Sequence, residues 1–168
     1  MLESGLSLED TMAIHAMISL YGHLIDDRQF SRLDEIFTQD AVFDLTAYGG
    51  EKHQGLAAIQ RLMLDSDEHP LAHHASNIVV TADETAAELD DTKRESRCLQ
   101  SARVISKGLG VGAGGRVGSV VYRDRVVCIE PAEQGDSMDL NSQSVARVWR
   151  IQSRLCALRT VESIPSPS

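Results

Sequence analysis

At 168 residues, with 42% hydrophobic and 24% charged side chains, the chain has the size and balance of a single domain with a sizeable core. Its formal net charge of −9 opposes binding to nucleic acid or to an anionic membrane surface. No stretch is apolar for long enough to span a bilayer and the N-terminus lacks a signal peptide's basic-then-apolar run, so the expectation is a soluble, cytoplasmic protein.

Ser7-Leu8-Glu9-Asp10 reads as a helix N-cap followed by first-turn acids. Ile14, Met17, Ile18, Tyr21, Leu24 and Ile25 recur at helical spacing as one buried stripe, and the helix is predicted to end near Asp26. A short second helix carries Phe30, Leu33, Ile36 and Phe37 on its inner face. Residues 40–48 read as a strand, in which Phe43, Leu45 and Ala47 alternate with Val42, Asp44, Thr46 and Tyr48. Gly49-Gly50 is a turn, and Leu56, Ile59, Leu62 and Met63 mark a third helix that ends before Pro70.

Beyond that proline the chain changes character. Residues 71–81 read as a strand, and the acidic, alanine-rich 82–92 as either a loop or one helical turn. Three long strands follow over 97–106, 116–130 and 144–158. The glycine-rich run from Gly108 to Gly115 lacks both the Gly-Lys-Ser/Thr ending and the following helix of a phosphate-binding loop, so it reads as a flexible hairpin loop. Residues 1–162 are taken as one domain and 163–168 as a disordered tail. The order predicts an α+β fold: a strongly curved antiparallel sheet, three helices in the N-terminal half, and an apolar pocket at the open end.

A carboxylate at the end of an otherwise apolar helix costs on the order of several kcal/mol if buried alone, so Asp26 needs a partner. His73, in His73-His74-Ala75-Ser76-Asn77, is the candidate. Histidine is the usual general base near neutral pH, and an Asp on one ring nitrogen fixes the tautomer that frees the other. Asn77 lies four residues after His73, so in a regular strand both point to the cavity side and His74 to the other. Tyr21 can present its hydroxyl to the pocket or be a half-buried member of the helix stripe. Tyr48, Asn77 and Tyr122 are the candidate substrate-binding residues. Asp124 either lines the pocket or pairs with an arginine, the second being favoured, and Trp149 and Ile151 read as core. The three cysteines and the remaining histidines lack metal-ligand spacing, so neither a metal nor a cofactor is expected.

Several segments carry a family likeness: Tyr21-x-x-x-x-Asp26, Leu33-x-x-Ile36-Phe37-x-x-Asp40-Ala41, Gly55-x-x-x-Ile59, His73-x-x-x-Asn77, Tyr122-x-Asp124 and Trp149-Arg150-Ile151. In this order, over about residues 7–158, the chain resembles the SnoaL-like group of the nuclear-transport-factor-2-like superfamily, the cone-shaped α+β barrels. It is similar to members that use an Asp–His dyad: hexachlorocyclohexane dehydrochlorinase, scytalone dehydratase and the bile-acid 7α-dehydratases. Ile25-Asp26-Asp27-Arg28-Gln29 with Arg32-Leu33 matches the dehydrochlorinase around its dyad aspartate, which implies Asp26 rather than Asp27. His73-x-x-x-Asn77 matches the segment carrying the base, and Tyr21 matches a site tyrosine of the bile-acid dehydratases.

The chain departs from these enzymes where a further acid is replaced by Ala102 and a second histidine by Ser119, and its 82–91 insert is longer. The resemblance implies a cofactor-independent lyase of dehydratase type acting on a small cyclic or polyketide-like substrate, through His73, Asp26 and Tyr21. The alternatives it carries are a double-bond isomerase or cyclase, and a non-catalytic binding module or dioxygenase-small-subunit-like assembly module. It also implies a homo-oligomer, dimer or trimer.

Overall fold

Ser7 starts the first helix, α1 (Leu8–Asp26), by accepting the Asp10 backbone N–H at 3.0 Å and donating its hydroxyl to Asp10 Oδ2 at 2.7 Å. The predicted stripe of α1 is buried throughout. The structure is a computed structural model that describes residues 6–66, 70–83, 101–112, 115–129 and 147–158, without the side chain of Tyr48. The predicted 82–92 insert beyond Asp83, the start of the 97–106 strand and the tail lie outside these residues.

After α1 come a 3₁₀ turn (Phe30–Glu35), β1 (Phe37–Asp44), a 3₁₀ turn (Thr46–Tyr48), β2 (Lys52–Gln54), α2 (Leu56–Asp65), β3 (Ala72–Ala82), β4 (Ser101–Val111), β5 (Val117–Ile129) and β6 (Val148–Leu158). The α+β architecture is as expected, and the curved sheet is not closed into a barrel. Its order is β2-β1-β6-β5-β4-β3. The sheet is not wholly antiparallel: β1 runs parallel to β6, a pairing made possible by the long crossover through α2 and the intervening strands.

Three element boundaries differ from the sequence reading. Of the three expected helices, the second is a 3₁₀ turn, and Phe37 already belongs to β1. The strand over 40–48 stops at Asp44, because Asp44 Oδ1 accepts both the Thr46 N–H at 2.9 Å and the Thr46 hydroxyl at 2.6 Å and so folds the chain into a turn. Most consequential, β4 continues to Val111, so Gly108 and Gly110 are strand residues and not part of a hairpin loop.

One core joins α1, α2 and the inner face of the sheet, with Ile14, Leu33, Ile36, Ile59, Val126 and Ile151 among its fully buried members. Trp149 and Ile151 sit there as expected. Trp149 Nε1 donates to Asp10 Oδ1 at 3.1 Å and Arg147 Nη1 to Asp10 Oδ2 at 2.8 Å, which ties the first turn of α1 to β6. No helix among the described residues is long and apolar enough to cross a membrane.

Candidate active site

The end of α1 is set by backbone hydrogen bonds. Gln29 N–H donates to Leu24 O at 2.8 Å and Arg28 N–H to Ile25 O at 3.0 Å, with Arg28 in the left-handed region at φ 55. This is a Schellman arrangement, unusual in having arginine where glycine is usual. It stops the helix at Asp26 and leaves that carboxylate aimed at β3.

Asp26 grips His73 twice. Its Oδ2 accepts the His73 backbone N–H at 2.9 Å, and its Oδ1 lies 2.6 Å from His73 Nδ1. Both side chains are mostly buried, 17% exposed for His73 and 22% for Asp26. An ionised carboxylate only accepts, so the proton between them belongs to Nδ1, and in the neutral ring the Nε2 lone pair is left available. The close approach of helix and strand depends on Gly22, where a Cβ would lie 2.9 Å from the His73 carbonyl oxygen. Asp27, by contrast, is exposed and, among the described residues, its side chain takes a single 3.4 Å bond, from Gln29 Nε2.

A bulge in β3 decides which side chains join His73. Ser76 is opposite Lys107 but Val79 is opposite Ile105, so one extra residue is inserted, and Asn77 takes it up at φ 50. The alternation therefore changes phase. His73 and Ala75 face inward, Asn77 is exposed, and Ile78 and Val80 return to the core side. The expectation that Asn77 shares the His73 face is thus corrected. His74 is exposed, as expected.

His73 lines a cavity of about 350 Å³, within the roughly 300–1,000 Å³ of small-molecule sites. Phe43 and Leu45 at β1, and Leu62 and Met63 of α2, supply much of its apolar surface. Tyr122, Ser119 and Cys156 line it from β5 and β6, and Gly110, Gly112, Gly118 and Arg116 from the end where β4 turns into β5. Burial pushes the Cys156 thiol up to about 12, so it is an inert lining group.

Tyr122 therefore reaches the cavity, as predicted, but Tyr21 does not line it. The Tyr21 ring is 6% exposed, packed edge-on against Phe37, His73 and Tyr122 at centroid separations of 6.0, 6.4 and 6.2 Å. Burial first, and the Tyr122 phenol second, push its hydroxyl well above the usual tyrosine range against the pull of Arg154. The side chain of Tyr48 lies outside the described residues.

Beneath the two tyrosines is a feature the sequence did not suggest. The Arg154 guanidinium sits 4.2 Å from the Tyr21 ring centroid and 4.4 Å from that of Tyr122. Its Nε and Nη2 each donate to Asp124 at 2.8 Å, in a fully buried pair. Burial disfavours the charge, but Asp124 outweighs it and keeps Arg154 firmly protonated. Asp124 thus pairs with an arginine, the reading favoured from sequence. The partner was hidden because strict alternation from Trp149 and Ile151 would turn Ser153 inward; an irregularity opposite Arg125 and Val126 brings Arg154 in instead. Gly22 carries no sequence reading of its own, and Gly108 and Gly110, expected in a loop, face inward on β4. An isolated glycine inside an apolar helix, and glycines at period two, were the available signals.

A family model described as a SnoaL-like domain matches residues 6–154. The chain belongs to the SnoaL-like family. Among solved structures, this SnoaL-like chain is similar to a Novosphingobium aromaticivorans protein named provisionally as an aromatic ring hydroxylase, at 25% identity and TM-score 0.58 over 92% of each chain. It is also similar to an NTF2-like protein with a cystatin-like fold from the same organism, at 21% identity and TM-score 0.57 over 93% of this chain and 86% of that one. A third neighbour, provisionally named scytalone dehydratase and again from that organism, shares 16% identity at TM-score 0.57 over 95% and 89%. The last two are likenesses of fold. No functionally curated protein matches the chain by sequence.

Proposed function

We propose that this SnoaL-like protein is a cofactor-independent lyase that carries out a dehydratase-type elimination on a small cyclic or polyketide-like substrate. The observation that carries the reading is the Asp26–His73 contact at 2.6 Å beside a cavity large enough for a small molecule. A binding module has no need to hold one imidazole nitrogen on a carboxylate and turn the other towards an apolar pocket.

In the step proposed, His73 Nε2 takes a proton from a substrate carbon next to a carbonyl. The C–H electron pair moves into the carbon framework and the carbonyl oxygen gains negative charge. The carbonyl then re-forms as the pair moves to make the double bond, and the hydroxyl on the neighbouring carbon leaves with its bonding pair. The His73 imidazolium returns the proton it took, which completes the departing water and restores the neutral base. Asp26 stabilises the imidazolium. Tyr122, which lines the cavity, hydrogen-bonds the oxygen that gains charge. Tyr21 is a positioning residue, its ring packed between His73 and Tyr122. Double-bond isomerisation shares the first step and differs only in where the proton returns.

The test is deuterium incorporation into 2-tetralone, a cyclic ketone with acidic hydrogens, in D₂O. Wild type is expected to accelerate exchange, and His73→Ala to lose at least about a hundredfold, the usual worth of a positioned general base. Equal exchange by the two proteins would sink the mechanism. The neighbour named as a ring hydroxylase favours a second reading, an assembly module resembling the small subunits of ring-hydroxylating dioxygenases. That reading requires a large subunit to co-purify with the chain and exchange to be independent of His73.

A further inference from the structure

The cavity is lined unevenly. One side is rich in glycine: Gly110 and Gly118 are cross-strand partners and Gly112 follows two residues on, with the Pro70 ring packed over Gly110, where an added Cβ would lie 3.1 Å from its Cγ. A Cβ on Gly118 would meet nothing within 4 Å, so the space before it is open. The Gly108 position, further in, is already filled by the Tyr122 ring, whose Cε2 would lie 2.5 Å from an added Cβ. Glycines at successive inward positions of β4 thus seat first Tyr122 and then Pro70, and open backbone remains at Gly118 on β5. Backbone without side chains lets a flat ligand approach closely, while flexible aliphatic chains such as Leu62 and Met63 adapt to its edges.

Arg116 stands at the exposed end of the same lining, at the turn into β5. Among the described residues it is the one permanently charged residue lining the cavity. It makes no ion pair with any of them, although the chain as a whole carries a net charge of −9. A cation at a pocket mouth with no carboxylate partner among the described residues presents a counter-charge for an anionic ligand.

We propose that the pocket selects flat ring compounds bearing a carboxylate, with the ring against Gly118 and the neighbouring Pro70 ring and the carboxylate at Arg116. This deepens the lyase reading, on which it rests only for the statement that the far edge of the ring is the one facing His73. The substrate class is then a cyclic carboxylic acid, and the reaction preceding this one must leave that acid group intact.

Calorimetric titration with 2-naphthoate and 2-naphthamide, which share a ring and differ in charge, tests the idea. Wild type is expected to bind naphthoate about five- to tenfold more tightly, the order of one partly exposed charge pair, and to lose that margin in high salt. Arg116→Gln should bind both probes alike, with the affinity for naphthamide unchanged. Gly118→Val, whose side chain projects into open space, should weaken both at least tenfold. His73→Ala should keep the preference for naphthoate; if it does so while deuterium exchange proves independent of His73, the specificity stands and the lyase reading falls. Failure of wild type to bind either probe, equal binding of the two, or a preference that survives Arg116→Gln or vanishes in His73→Ala would each overturn the assignment.

Discussion

At the residue scale, Gly22 shows how little side chain the site tolerates behind its base. An added Cβ would lie 2.9 Å from a backbone carbonyl, which cannot rotate away as a side chain can. Gly22→Ala is therefore expected to destabilise the fold by about 1–3 kcal/mol despite alanine's better helix propensity, as read by urea denaturation. Unchanged or raised stability would contradict the packing described. The requirement was only half readable in sequence. Asp26 was visible as a charge out of place, and the choice of His73 from six histidines rested on family likeness. That glycine 22 makes their meeting physically possible needs the distance between two elements, which no local pattern contains.

At the element scale, strand phase controls the site. Asn77 absorbs the extra residue of β3 at φ 50, a conformation that asparagine and glycine enter far more easily than β-branched residues. Asn77→Gly should fold normally, whereas Asn77→Val should lose about 1–2 kcal/mol. Deleting Asn77 should do more, because a one-residue slip would turn either His73 or the Ile78–Val80 segment to the wrong face. Circular dichroism melts and the exchange assay would read the two effects separately. The same logic explains two failures of sequence reading. Period-two alternation points Asn77 inward, but β3 carries a bulge there, and a second irregularity in β6 brings Arg154 inward where no sequence pattern announces it. Where the strand is regular, as over Val120 to Asp124, period-two alternation places Val120, Tyr122 and Asp124 on one face, and Tyr122 and Asp124 are buried.

At the scale of the whole molecule, element order was largely legible because long periodic segments dominate it: the α1 stripe, α2 and the β5 and β6 strands. The parallel β1–β6 pairing was not, since strand partners far apart in sequence leave no local trace. Acid should unravel this arrangement at identifiable points. Burial raises the Asp10 carboxyl, but Ser7, Trp149 and Arg147 outweigh it and hold it below its ordinary value. The Thr46 hydroxyl and N–H, then Lys52, hold Asp44 down at about 2. Carboxyls depressed in the folded state contribute stability that is present above about pH 4 and is lost as pH falls through their folded values. The urea midpoint should therefore decline from about pH 4 towards 2, and Asp10→Asn, less stable at neutrality, should differ less from wild type at the acid end. A midpoint flat over this range would contradict the stated roles of both carboxylates.

The central claim is that Asp26 holds His73 with Nε2 free towards the pocket. ¹⁵N NMR of the imidazole, on the alkaline side of its titration, reads this without a substrate. The account predicts a protonated, pyrrole-type Nδ1 and a pyridine-type Nε2 in wild type, with the preference lost in Asp26→Leu. A wild-type ring protonated at Nε2, or one indifferent to Asp26, would contradict it.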